Sequence, residues 1–349
     1  MSNDYIPPFT MTEEITNLTI EIGQYVGMIA TYELLHPNPV LRRENRIRSI
    51  HSSLAIEQNT LSLQQVTDVI EGKRVLGPPQ DICEVKNAYE VYEKAAAFDP
   101  YSIQDLLTAH KMMMTGLVKE AGCFRSGNVG VFAGTQLVHA GTPARYVPEL
   151  IQQLFTWMKH SNYHPLIKSC IFHYEFEYIH PFADGNGRTG RLWQSVILQK
   201  WQPFFAWLPI ETLVHENQEA YYHALQMANN DGESTVFVEF MLQMIRDALK
   251  ELAESQNEQQ KKSNVGIHVS INVGKNVGKN VGKNVGKNEQ KVLLLLQQDG
   301  RLTIKVLAET LAITPRQVER IIAKLKKQGL LIRHGASKGG YWQVNLPDK

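Results

Sequence analysis

Cysteine is scarce in this chain of 349 residues: Cys83, Cys123 and Cys170 are odd in number and widely spaced. They make neither a disulfide framework nor a paired metal motif, and they read as small core hydrophobes in a reducing compartment. Long apolar runs are missing too. Val292 to Leu296 is far too short to cross a bilayer, and Met1 to Thr10 lacks the basic and apolar blocks of a secretory signal. A cytoplasmic protein with no membrane partner is expected. Net charge is small as well, at +1.

That balance conceals an asymmetry. Residues 289–349 carry eleven Lys or Arg against five Asp or Glu, and 261–288 add six lysines and no acid, which leaves residues 1–260 at −11. An acidic body is joined to a basic tail, and the tail is the part suited to an acidic polymer. With 43% hydrophobic residues, the chain has material for two or three domains.

The densest chemistry lies in His180-Pro-Phe-Ala-Asp-Gly-Asn-Gly-Arg-Thr-Gly-Arg191. Apolar residues at helical spacing precede it (Ile167, Ile171, Tyr174, Tyr178) and follow it from Leu192 to Trp201, so the motif is a joint between two helices. Gly185, Asn186 and Gly187 allow a backbone turn that aims N–H groups into one concavity at a helix start, which suits an anion. Arg188 and Arg191 lie three residues apart and add charge for a polyphosphate. Asp184 is a lone carboxylate of the kind that holds Mg²⁺ together with substrate oxygens. His180 is suited to take a proton from a hydroxyl.

This stretch resembles the signature of the Fic family, His-x-Phe-x-(Asp/Glu)-Gly-Asn-Gly-Arg-x-x-Arg, with every fixed position filled. The resemblance implies transfer of AMP from ATP to a Ser, Thr or Tyr hydroxyl of a protein, including the enzyme itself. It implies His180 as base, Asp184 on Mg²⁺, and phosphate contacts from Asn186, Gly187, Arg188 and, at the γ-phosphate, Arg191. Upstream, Ile47, Ile50, Leu54 and Glu57 share one helical stripe, so a carboxylate extends an apolar face and needs a cationic partner. Ser53-Leu-Ala-Ile-Glu57 is similar to the family's inhibitory pattern (Ser/Thr)-x-x-x-Glu-(Gly/Asn), departing at Gln58. The resemblance implies that Glu57 pairs with Arg191 and blocks the γ-phosphate.

Between Cys123 and Thr135, alternation and glycines signal a short hairpin in a helical context. The family's corresponding hairpin is a flap that holds the target segment by strand addition, and Phe132, Ala133, Gly134 and Thr135 occupy its position. His110 and His173 read as packed histidines. Tyr221 and Asn229 resemble the family's adenine and ribose contacts.

Residues 254–288 are of low complexity, with Asn272-Val-Gly-Lys repeated four times through Lys287. Glycine at every fourth position argues against helix and for a flexible linker. Order returns beyond it: helices over Val292–Gln298, Ile304–Leu311 and Arg316–Gln328, the last opened by Thr314-Pro315, precede two strands, a pattern similar to a winged helix-turn-helix. In that architecture Arg316, Gln317, Arg320 and Lys324 would face a DNA groove and Lys338 in the wing would touch phosphate.

The expected protein is mainly α, a Fic-type helical bundle with a β-hairpin flap plus a small winged-helix domain. Its regions are 1–100 with the inhibitory helix, 101–253 catalytic, 254–288 linker and 289–349 winged helix. Its partners are ATP, a protein substrate and, through the winged helix, DNA or protein; a homo-oligomer is left open. Two further readings stand beside it: removal of AMP from modified proteins by the same residues, and, from a different class, a DNA-binding regulator in which the catalytic body only senses nucleotide.

Overall fold

The computed structural model describes residues 5–35, 38–133, 136–140, 142–277, 287–298, 302–311, 313–334 and 341–344. Helices α1 (Glu13–Leu35), α2 (Pro39–Ile56), α3 (Leu63–Ile70), α4 (Pro79–Lys94) and α5 (Ile103–Met114) lead to a hairpin of β1 (Gly130–Ala133) and β2 (Gln136–Ala140). Then come α6 (Val147–His160), α7 (Pro165–Ile179), α8 (Asn186–Trp201), α9 (Ile210–Glu216), α10 (Gln218–Asp231) and α11 (Thr235–Val277). Helices α12 (Lys287–Gln298), α13 (Ile304–Leu311) and α14 (Pro315–Lys327) precede the antiparallel strands β3 (Leu331–His334) and β4 (Tyr341–Val344). The mainly α architecture is as expected.

The chain divides into two compact units, Met1–Gln259 and Gln260–Lys349. In the first, α7 is the axis. It is buried without interruption from Leu166 to Phe176, which a helix tolerates only when neighbours cover every face. Its neighbour α8 is buried from Arg188 to Leu198, with α2, α5 and α6 packed on the pair and α4 and α9 packed on α2. Ile15, Ile50, Val85, Leu106, Phe172, Trp193 and Phe237 belong to this core. In the second unit, Val292, Leu307, Val318, Leu325 and Trp342 form a separate small core.

Several boundaries differ from expectation. α2 ends at Ile56, so Glu57 is its C-cap and not a helical residue. Gln58 N–H donates to Ala55 O at 3.0 Å and Asn59 N–H to Leu54 O at 3.1 Å, a helix stop that needs a left-handed residue between them. Gln58 is that residue, at φ +68°. The hairpin begins only at Gly130 and returns through Ala140, so Val138–Ala140 is strand. The expected linker is helical as far as Val277. Each Gly costs about 1 kcal/mol in a helix, but a helix nucleated on the packed face of α11 extends with one hydrogen bond per added residue.

Candidate active site

α7 stops because His180 turns left-handed, at φ +51°, with its N–H still bonded to Phe176 O at 2.9 Å. Five residues on, Gly185 takes φ +81° as the N-cap of α8. A Cβ there would meet Met114 Sδ at 2.6 Å, so glycine is required twice over. The loop between is held from both sides. Asn186 accepts from Phe182 N–H at 2.8 Å and donates to Phe182 O at 2.9 Å. The His110 ring stacks on Phe182 at 3.6 Å. His110 Nδ1 accepts from Gly122 N–H at 2.9 Å, so Nε2 carries the proton and donates to Asp184 O at 3.0 Å. Burial pushes its pKa down to about 4, which keeps the ring in that neutral form.

The result is a helix start whose first N–H groups, on Asn186, Gly187 and Arg188, have no intrahelical acceptor and face the same loop as half-buried His180. Asn186 contributes its backbone to this cradle, since both ends of its side chain are committed to Phe182.

Both arginines are buried. Arg191 Nη2 donates to Glu57 Oε1 at 2.7 Å and to Ser53 O at 3.0 Å, while Nε donates to Ser53 Oγ at 3.1 Å. Burial would raise the Glu57 pKa, but the Arg191 charge and hydrogen bond, with Arg188 and His180 beyond, bring it below the ordinary value. The same carboxylate lies against Gly187, where a Cβ would collide with Oε1. A carboxylate therefore occupies the anion cradle. Arg188 is held differently, with Nη1 donating to Glu84 Oε1 and Nη2 to Asp184 Oδ1, each at 3.2 Å. Arg188 Nε is buried with no partner among the described residues.

Asp184 is more open, its side chain 55% exposed. Its Oδ1 also accepts from Gly185 N–H at 2.6 Å, and among the described residues Oδ2 accepts nothing. No group of three His, Cys, Asp or Glu side chains suited to a metal is found among the described residues. One open carboxylate beside an anion cradle fits Mg²⁺, which keeps waters and takes substrate oxygens, and does not fit a closed transition-metal site.

Tyr221 requires a correction. It is 2% exposed, its ring packs on Phe237 and Phe240, and its hydroxyl meets His173 Nε2 at 3.0 Å. That ring has no open face for a base, because α11 covers this side of α10. The exposed neighbour is Tyr222, which shares the electrostatic field of Glu57, Arg191 and Glu177. Half-buried Asn229 accepts from Tyr174 OH at 3.1 Å. His173 is the packed histidine expected, fully buried between Tyr221 and Gln194. Of the flap residues, Phe132 and Ala133 end β1, while Gly134 and Thr135 lie outside the described residues.

In the second unit, Thr314 and Gln317 form a reciprocal cap on α14. Val318, Ile322 and Leu325 face the core, and Arg316, Gln317, Arg320 and Lys324 are exposed. Gln317 spends its side-chain oxygen on Thr314 N–H at 2.9 Å, and Lys324 pairs with Glu289 at 2.7 Å. Lys338 lies outside the described residues.

Two site residues carried no motif. Glu84 follows Ile82 and precedes Val85 and Ala88, a charge embedded in an apolar helical pattern like Glu57; that was its available signal. Arg125 had none, since among the described residues its guanidinium meets only backbone carbonyls.

Comparison with known proteins agrees with this geometry. Residues 100–198 match the Fic/DOC family, and residues 287–332 match a winged helix-turn-helix DNA-binding family. A crystal structure of a Fic family protein from Desulfovibrio desulfuricans G20 is 41% identical with a TM-score of 0.70, covering 99% of this chain and 100% of that one. Among curated relatives, protein adenylyltransferase fic-1 of Caenorhabditis elegans is 30% identical over 217 residues, 58% of this chain and 40% of its own length. Protein adenylyltransferase Fic of Drosophila erecta is 28% identical over 218 residues, 58% of this chain and 42% of its own. The chain thus spans about two fifths of the curated relatives it matches.

Proposed function

This chain belongs to the Fic family, and we propose that it transfers AMP from ATP to a protein hydroxyl and holds itself inactive through Glu57. One observation carries the reading: a side-chain carboxylate already sits in the cradle of Gly187 and Arg191, so the site accepts an anion and is filled from within. The N–H groups at the start of α8, with Arg188 and Arg191, bind the phosphates of ATP. Mg²⁺, held through Asp184, would screen phosphate charge. His180 takes the proton of the attacking hydroxyl as its oxygen bonds to the α-phosphorus and the bond to the bridging oxygen breaks, releasing pyrophosphate. Arg191 can fork to Glu57 or to a γ-phosphate, not fully to both, so seating ATP productively requires Glu57 to leave. Ser53 retains the guanidinium meanwhile.

The test is intact-mass spectrometry after incubation with Mg²⁺ and ATP. Glu57→Gly should gain AMP at least about tenfold faster than the parent, the equivalent of 1.4 kcal/mol, and the Glu57→Gly/His180→Ala double variant should gain none. A Glu57→Gly protein that binds ATP yet gains no AMP, and transfers none to proteins of a cell extract, would exclude transfer and favour AMP removal or another donor. For the second unit, the exposed cations of α14 support DNA binding; Arg320→Ala should weaken a DNA duplex in fluorescence anisotropy, and unchanged affinity would speak for a protein partner instead.

A further inference from the structure

Arg125 has no part in the chemistry above, yet it is only 3% exposed. A buried guanidinium ordinarily meets a carboxylate. Arg125 meets none among the described residues and donates to main-chain oxygens alone: Nε to His180 O at 2.6 Å, Nη1 to Gly127 O at 2.9 Å, and Nη2 to Ile179 O at 3.3 Å and to Thr142 O. Its backbone N–H donates to Pro181 O at 3.0 Å.

These carbonyls belong to two structures. Ile179, His180 and Pro181 form the turn that ends α7, where His180 is left-handed. Gly127 and Thr142 flank the hairpin, whose strands pair from Gly130 opposite Ala140, and Asn128 closes the same base by accepting from Ala144 N–H at 2.9 Å. A left-handed residue with a side chain is strained, its Cβ crowding the backbone, and it persists where its surroundings over-determine it. The bond from Arg125 to His180 O fixes the peptide plane that follows that strained residue. The other donors fix both feet of the hairpin.

We propose that Arg125 is a positioning residue that locks the hairpin to the His180 turn, so that the segment presented by the hairpin and the imidazole that takes its proton share one frame. This rests on the transfer reading. A planar fork of five N–H groups spread over three nitrogens reaches four carbonyls on two sides at once; the ammonium of lysine, with three N–H groups on one atom, cannot span them all.

The experiment places Arg125→Lys in the Glu57→Gly protein and measures Mg²⁺-ATP binding by calorimetry, AMP gain by intact mass, and hydrogen exchange over residues 125–146 and 177–187. ATP affinity should stay within about threefold while AMP gain slows about 100-fold, the scale of a small misplacement of reacting groups. Exchange should rise in both segments together. AMP gain within twofold of the Glu57→Gly protein would overturn the proposal, as would exchange rising in one segment alone. Parallel loss of ATP binding and melting temperature would make Arg125 fold support only, and overturn it too. If lysine does not fold, Arg125→Ala with and without added guanidinium replaces it, and restored AMP gain is expected; failure of rescue in a folded protein counts against the proposal. Should Glu57→Gly itself bind ATP without gaining AMP or transferring it to proteins of a cell extract, the transfer reading fails, and the exchange data alone decide the coupling.

Discussion

Arg188 and Arg191 stand one turn apart on α8 and are equally buried, at 5% and 3% side-chain exposure, yet they are held in opposite ways. Arg191 has neutral acceptors from Ser53 besides one carboxylate, Glu57, which is 30% exposed and sits at the end of a helix. Arg188 depends on carboxylates, one of them the enclosed Glu84 and the other the open Asp184. An ion pair with an exposed partner can be exchanged for a substrate anion at little cost, whereas an enclosed pair is part of the fold. The difference separates a displaceable contact from a structural one within a single turn of helix.

Removing each carboxylate is the strongest way to break this comparison. Glu84→Ala strips Arg188 of its enclosed partner and Asn59 Nδ2 of the shorter of its two hydrogen bonds, at 2.7 Å, and should cost about 3–5 kcal/mol in denaturant unfolding. Glu57→Ala should cost only about 1–2 kcal/mol, since Ser53 remains. Equal losses would erase the distinction.

Glu177 sharpens it by a smaller amount. Its Oε1 is buried without a hydrogen bond among the described residues, and a Cβ at Gly190 would meet it at 2.8 Å. Burial pushes its pKa up to about 7, opposed by Arg191 and helped by Glu57. Between pH 4.5 and 7 the folded chain therefore keeps a proton that the unfolded chain has lost. The stability from this carboxyl is complete below pH 4.5 and declines as pH rises through 7. Glu177→Gln should exceed the parent by about 2–3 kcal/mol at pH 8 and match it at pH 4.5 in thermal unfolding; a gap independent of pH would contradict the shift.

The smallest effect concerns Gln58. Glycine at φ +68° relieves left-handed strain, less its own entropy, for about 1 kcal/mol net, or about 2–4 °C in melting temperature. A firmer end to α2 should also hold Glu57 in place, so Gln58→Gly should gain AMP more slowly than the parent. Faster gain would detach the helix stop from inhibition.

Much of this arrangement was legible in the residues because its determinants are local. The joint at His180–Arg191 needs glycines and a helix start, both spelled out in sequence, and Glu57 declared itself as a charge on an apolar stripe. The mainly helical body and the small helix-and-strand tail followed from period and turn chemistry. Glu84 offered the same kind of signal as Glu57, but no nearby motif marked its partner.

What the chain alone determined was which side chains share a helix, a turn or a stripe, since that follows from backbone periodicity. Tertiary packing decided the rest. It chose Tyr221 for the core and left Tyr222 outside because Phe237 and Phe240 of α11 cover one face of α10. It brought Arg125 to carbonyls that no sequence pattern marks. A backbone oxygen is present at every residue, so only the fold selects which of them a buried cation will meet.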